Sequence, residues 1–120
     1  MSYSMKLGDR GYHELWAFAN LRGGREYAAA RRRPDGEYED VWVYGLVIAH
    51  LRERDGTSGG FLLVELDADG GVIDDWVETG FEEAKKHGAA RADAEADGLP
   101  WEPVPDTNDL AKYVRTRRRD

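Results

Sequence analysis

Alternation of apolar and polar positions is clearest over residues 61–80, FLLVELDADGGVIDDWVETG. Leu62, Val64 and Leu66 fall on alternate positions, and after Asp69-Gly70 the period resumes as Ile73, Asp75 and Val77, the pattern of half-buried strands. Asp-Gly between two such runs predicts a β-hairpin with a two-residue type I′ loop, because both loop residues of that turn need positive φ. Leu66 then faces Ile73, Leu62 faces Val77 and Val64 faces Asp75; on the other side Leu63 faces Trp76, Glu65 faces Asp74 and Phe61 faces Glu78. Like charges directly opposed cost roughly a few tenths of a kcal/mol when solvated. The acidic face made by Glu65, Asp67, Asp74 and Glu78 around Trp76 therefore calls for a cation, from a neighbouring strand, a partner or a metal.

A helix is expected to follow with almost no linker. Thr79 stands three residues before Glu82 as in a capping box, and Glu82 and Glu83 suit the positive end of the helix dipole. The helix should run from about 80 to 97 and stop at Gly98, with Leu99 and Pro100 beyond it. Phe81, Ala84, Gly88 and Ala92 lie along one stripe, whose small residues let the axis approach a sheet, with Phe81 and Ala84 as the anchors. Gly88 costs about 1 kcal/mol relative to Ala in mid-helix, which points to a packing reason for it.

Earlier in the chain, residues 12–21 and 25–33 read as strands joined by a turn at Gly23-Gly24, although Ala28–Ala30 followed by Arg31–Arg33 pulls toward helix. Pro34-Asp35-Gly36 is a turn. Residues 41–51, VWVYGLVIAHL, are apolar on both faces, as in a central strand or one that reserves a face for a partner; Gly45 suggests a bulge or a close backbone approach. Residues 52–60 form a polar, glycine-rich loop without a phosphate-binding signature. Residues 101–105, WEPVP, form an extended strap that brings Trp101 back to the core. Asp106 or Thr107 caps a short C-terminal helix carrying Leu110, Tyr113 and Val114, and residues 115–120 are a frayed basic tail. The expected fold is α+β: a single domain over 1–120, about five antiparallel strands in a meander, the main helix packed on the sheet, and the short C-terminal helix.

Charge changes this picture more than composition does. The net charge of −7 averages a neutral stretch over residues 1–60, a net −10 over 61–114 and a net +3 over 115–120. So acidic a middle disfavours nucleic acid and anionic membrane as partners and favours a basic protein surface. No cysteine is present, the N-terminus has no apolar signal core, and the longest apolar run is too short to span a bilayer. A soluble cytoplasmic chain is expected.

Catalytic signals are absent. His13, His50 and His87 lie on different elements without metal-ligand spacing, and no serine or cysteine nucleophile motif occurs. Asp67, Asp69 and Asp74 begin like a calcium loop, but Gly71 stands where the third oxygen ligand belongs. No metal or cofactor is expected.

The run FLLVELDADGGVIDDWVETGFEEAKKHGAA, followed by LPWEPVP, resembles a pattern in small bacterial domains, some of them grouped with toxin-immunity proteins. The likeness covers residues 61–105 and implies a small non-catalytic α+β domain that masks a partner. The leading expectation is a protein-binding domain that docks a basic partner through Glu65, Asp67, Asp74, Trp76 and Glu78. The alternative is a small-ligand or nucleic-acid module using Arg31–Arg33 and the aromatic residues of the 41–51 strand. A homodimer is also open, with Trp42 and Tyr44 as its first interface residues.

Overall fold

The protein is described here from a computed structural model, over residues 12–52, 57–95 and 98–103. Strands β1 (Tyr12–Asn20), β2 (Tyr27–Arg32), β3 (Tyr38–Val43), β4 (Gly45–Arg52), β5 (Ser58–Leu66) and β6 (Val72–Glu78) precede helix α1 (Phe81–Arg91) and a short strand β7 (Trp101–Pro103). The architecture is α+β and mostly antiparallel. One sheet has the order β6-β5-β4-β1-β7, and a second is the two-stranded ribbon β2-β3.

Strand β4 lies between β1 and β5, and Leu46, Val47, Ile48 and Ala49 are wholly buried, which accounts for a stretch apolar on both faces. Gly45 sits where the chain leaves β3 for β4, and a Cβ there would lie 2.8 Å from Cε2 of the buried Phe18. The close approach expected at this glycine is thus between its backbone and an aromatic ring.

A simple meander does not form, because β1 pairs with β4 and β2 pairs with β3. The Gly23-Gly24 stretch is not a hairpin turn. It belongs to an excursion in which Leu21 N–H bonds to Tyr44 O at 3.0 Å and Arg25 N–H bonds to Leu21 O at 3.1 Å, with Gly23 and Gly24 at φ +100 and +127. The strands on either side pair with successive parts of the 38–52 run, β2 with β3 and β1 with β4, which pass into different sheets at Tyr44. Residues 28–32 are strand despite their helix-forming composition: Ala29 is buried beneath the ribbon and Arg31 lies across from Glu39. Tertiary partners outweigh a propensity worth tenths of a kcal/mol per residue.

The β5–β6 hairpin has the expected register from Phe61↔Glu78 through Glu65↔Asp74, but Leu66 then pairs with Val72 across a bulge. Its loop is longer than two residues. Asp67 N–H bonds to Gly71 O and Gly70 N–H to Asp67 O, and Gly70 alone takes positive φ, at +81. Arg33–Glu37 repeats the arrangement: Arg33 N–H bonds to Glu37 O, Gly36 N–H to Arg33 O, and Gly36 has φ +89. Both Asp-Gly pairs thus complete three-residue loops with a glycine bulge, the next commonest hairpin connection after the two-residue turns.

Helix α1 begins one residue later and ends well before the expected bounds. Gly80, not Thr79, is the N-cap, and no side chain caps it. At the other end Asp93 adopts φ +53 and Ala94 N–H reaches back to Ala89 O at 2.8 Å, so a left-handed closing turn stops the helix before Gly98. Gly88 has the packing role foreseen for it: an added Cβ would lie 3.1 Å from Trp101 Cζ2 and 3.4 Å from Leu46 Cδ1 and Leu63 Cδ1. Trp101, on the strap, packs against the same core cluster, and the strap pairs with β1 as β7. That cluster joins α1 (Ala84, Ala89), the ribbon (Ala29, Val43) and the large sheet (Leu46, Ile48, Leu63). The expected C-terminal helix and basic tail lie outside the described residues.

Candidate functional site

The five hairpin residues proposed as a docking face do not share one open surface. Glu65 points from β5 into the space between the ribbon and α1 and is fully buried. Its carboxylate accepts the Tyr27 hydroxyl from β2 and the Arg91 guanidinium from α1, with Nε at 3.1 Å from Oε2 and Nη2 at 3.4 Å from Oε1. Burial, and then Glu65, push the Tyr27 phenol well above its ordinary range. Desolvation pulls Arg91 down, but the bonds and charge of Glu65 outweigh it and raise the guanidinium.

The network continues along the helix. The Arg91 guanidinium lies 4.9 Å from the Trp76 ring centroid, and Trp76 meets the His87 ring at a tilt, with centroids 4.8 Å apart. His87 Nδ1 then meets Glu78 Oε1 at 2.5 Å. Glu65, Trp76 and Glu78 are therefore brought together, facing the protein's own helix. Asp67 is elsewhere. Its Oδ1 accepts Asp69 N–H at 2.9 Å and Gly71 N–H at 2.8 Å to shape the turn, while Oδ2 takes Arg31 Nη1 at 2.7 Å. Asp74 is the exposed member, and its Oδ1 accepts Asp75 N–H at 2.8 Å. The cation that the acidic face calls for is thus supplied internally, by Arg91 for Glu65 and by Arg31 for Asp67.

Arg31 also reaches Glu39 at 3.3 Å, and Arg33 pairs with Asp35 at 3.2 Å, so two arginines of the 31–33 run are engaged. His50 stacks on Phe61 at 4.6 Å, with Nε2 3.0 Å from Ser58 Oγ. Among the described residues no group of three His, Cys, Asp or Glu is placed to hold a metal ion, and no helix is long and apolar enough to cross a membrane.

The surface that is open lies on the ribbon. Along β2 and β3 the inward positions Tyr27, Ala29, Val41 and Val43 join the core, whereas Ala28, Ala30, Arg32, Tyr38, Asp40 and Trp42 face out. Tyr38 is 65% exposed and Trp42 55%, the two most exposed large apolar side chains among the described residues. Tyr44, grouped with Trp42 in the sequence, is half-buried beneath Arg22, whose Cζ lies 4.1 Å from the ring centroid.

Sequence reasoning missed Tyr27, Arg91 and Tyr38. A signal existed for Arg91: it follows Ala84 and Gly88 at helical spacing on the buried stripe, where a cation needs an anion, and Glu65 is an acid at an inward strand position. No protein-family model, curated protein or solved structure matches the chain.

Proposed function

We propose that this chain is a non-catalytic protein-binding domain that docks a basic partner, and that it docks through the outer face of the β2–β3 ribbon. The observation that carries this reading is the pair Tyr38 and Trp42, large rings left in solvent on one face of a strand whose other side chains are charged or at least partly buried. Exposed aromatic residues grouped on a rigid element supply binding anchors. The overall charge of −7 and the exposed Asp40, which lies between the two rings in the strand order, steer a cationic surface toward them. The hairpin carboxylates Glu65, Asp67 and Glu78 support the scaffold behind this face; Asp74 remains available to the partner's rim.

Affinity capture at low salt tests the reading when wild type is compared with a Tyr38→Ser/Trp42→Ser variant of unchanged circular dichroism. A partner retained by wild type, weakened by ~30-fold or more in the variant and released by salt is the expected result. Capture indifferent to both rings would overturn it. The module reading based on Arg31–Arg33 has less support, because only Arg32 of the three lacks a carboxylate partner among the described residues.

A further inference from the structure

We infer that β3 is a receptor edge: it takes an extended basic peptide as an added antiparallel strand, with a lysine or arginine of that peptide seated beside Asp40 between the rings of Tyr38 and Trp42. This deepens the protein-binding reading above and rests on it. The edge is open for a reason visible in the topology. Strand β5 runs alongside β4 to the Gly45↔Leu66 pair, and Tyr44 N–H still bonds to Leu66 O at 3.0 Å. There β5 turns back at Asp67, while the 38–52 run continues as β3 and, among the described residues, pairs on one side only.

The ladder fixes which groups face outward. Because Arg33 N–H closes on Glu37 O, main-chain groups of Glu39, Val41 and Val43 turn toward β2, and those of Tyr38, Asp40 and Trp42 turn toward the side on which no described strand pairs. The residues that offer free N–H and C=O groups are therefore those whose side chains form the exposed face. An added strand would gain main-chain bonds at Tyr38, Asp40 and Trp42 and lay every second side chain along the same surface, the usual division of labour in strand addition.

Charge selects the occupant. The Tyr38, Asp40 and Trp42 side chains follow one another at ~7 Å along the pleat, so a cation opposite Asp40 meets a carboxylate with an aromatic ring on either side. Asp40 makes no ion pair among the described residues; Arg32, across from Tyr38, is the nearest cation on that face by register. A second copy fits poorly. Antiparallel self-pairing centred on this edge would set Asp40 directly against Asp40 of the other copy, a like-charge pair that discourages it.

The test titrates the full chain with the capped heptapeptide Thr-Val-Thr-Lys-Thr-Val-Thr, which puts the lysine between two valines on one face, and reads backbone amide shifts. At about 1 mM peptide, shifts are expected at Tyr38, Asp40 and Trp42, and replacing the peptide lysine with glutamate should weaken binding ~10-fold or more. Asp40→Lys, at an exposed position without an ion pair among the described residues, should reverse that preference. N-methylation of the peptide amides facing β3 should abolish binding, and methylation of the alternate amides should not. Binding indifferent to N-methylation, or no shift with any peptide, overturns strand addition; capture that still depends on Trp42 would then leave the protein-binding reading standing. If capture is also indifferent to Trp42, both fall.

Discussion

Removing the Arg91 guanidinium bears most directly on how the ribbon, the sheet and the helix are held together. Glu65 is fully buried, and its two oxygens are shared between Tyr27 and Arg91. In Arg91→Met the aliphatic stem is largely kept, and the carboxylate is left with the Tyr27 hydroxyl alone. Breaking a buried pair by deleting one partner costs ~3–5 kcal/mol. The Arg91 side chain is 38% exposed, so water can enter beside Glu65 and ~2–3 kcal/mol is the better figure. At ~4 °C per kcal/mol for a chain of this length, the melting temperature should drop ~8–12 °C. The triple change Tyr27→Phe/Glu65→Leu/Arg91→Met removes donors and acceptor together and should return stability to within ~1 kcal/mol of wild type. Urea denaturation of the singles and the combination supplies the coupling energy. A loss below ~0.5 kcal/mol for Arg91→Met, within the range of ordinary surface changes, would refute the assignment of Glu65 to an internal network.

Gly45→Ala should cost ~1–3 kcal/mol in urea denaturation, because the new methyl would stand 2.8 Å from the Phe18 ring; a neutral result would mean the ring can move. Gly70→Ala should cost about 1 kcal/mol in the same assay, since φ +81 is strained for any L side chain, and Asp69→Ala should cost less. The raised Tyr27 phenol gives an alkaline signature. The unfolded phenol, near its ordinary 10.0, ionises first, so the contribution is complete below pH 10 and is lost as pH rises beyond it. The slope cannot exceed ~1.4 kcal/mol per pH unit, the value for a single proton, and it should disappear in Tyr27→Phe; denaturation midpoints across that range measure it.

Much of the fold was legible because it is local. The hairpin register from Phe61 to Glu65 follows from alternation and one Asp-Gly pair, and Gly45 and Gly88 signalled close packing, whose partners Phe18 and Trp101 only the structure supplies. What escaped depends on distant partners. Nothing near Gly23-Gly24 reveals that β1 and β2 both pair with the 38–52 run, and a local turn signal there favours the wrong pairing. The helix end was misplaced because Asp93 enters the left-handed region without being glycine. The candidate site divided the same way. Strand period put Glu65 opposite Asp74, but whether that carboxylate met a partner protein or Arg91 depended on the helix crossing above it. Trp42 was named only as a candidate dimer-interface residue, together with Tyr44, because the 41–51 run is apolar on both faces; Tyr38 was not named, because the strand was taken to begin at Val41, after the charged residues Glu39 and Asp40.

Amide hydrogen exchange of the free protein, resolved by residue along β3, examines the open edge most directly. Fast exchange at Tyr38, Asp40 and Trp42 between protected amides at Glu39, Val41 and Val43 is the expected pattern, with no partner required. Equal protection at all six positions would mean that the edge is already covered and would contradict the account of β3 as a docking strand.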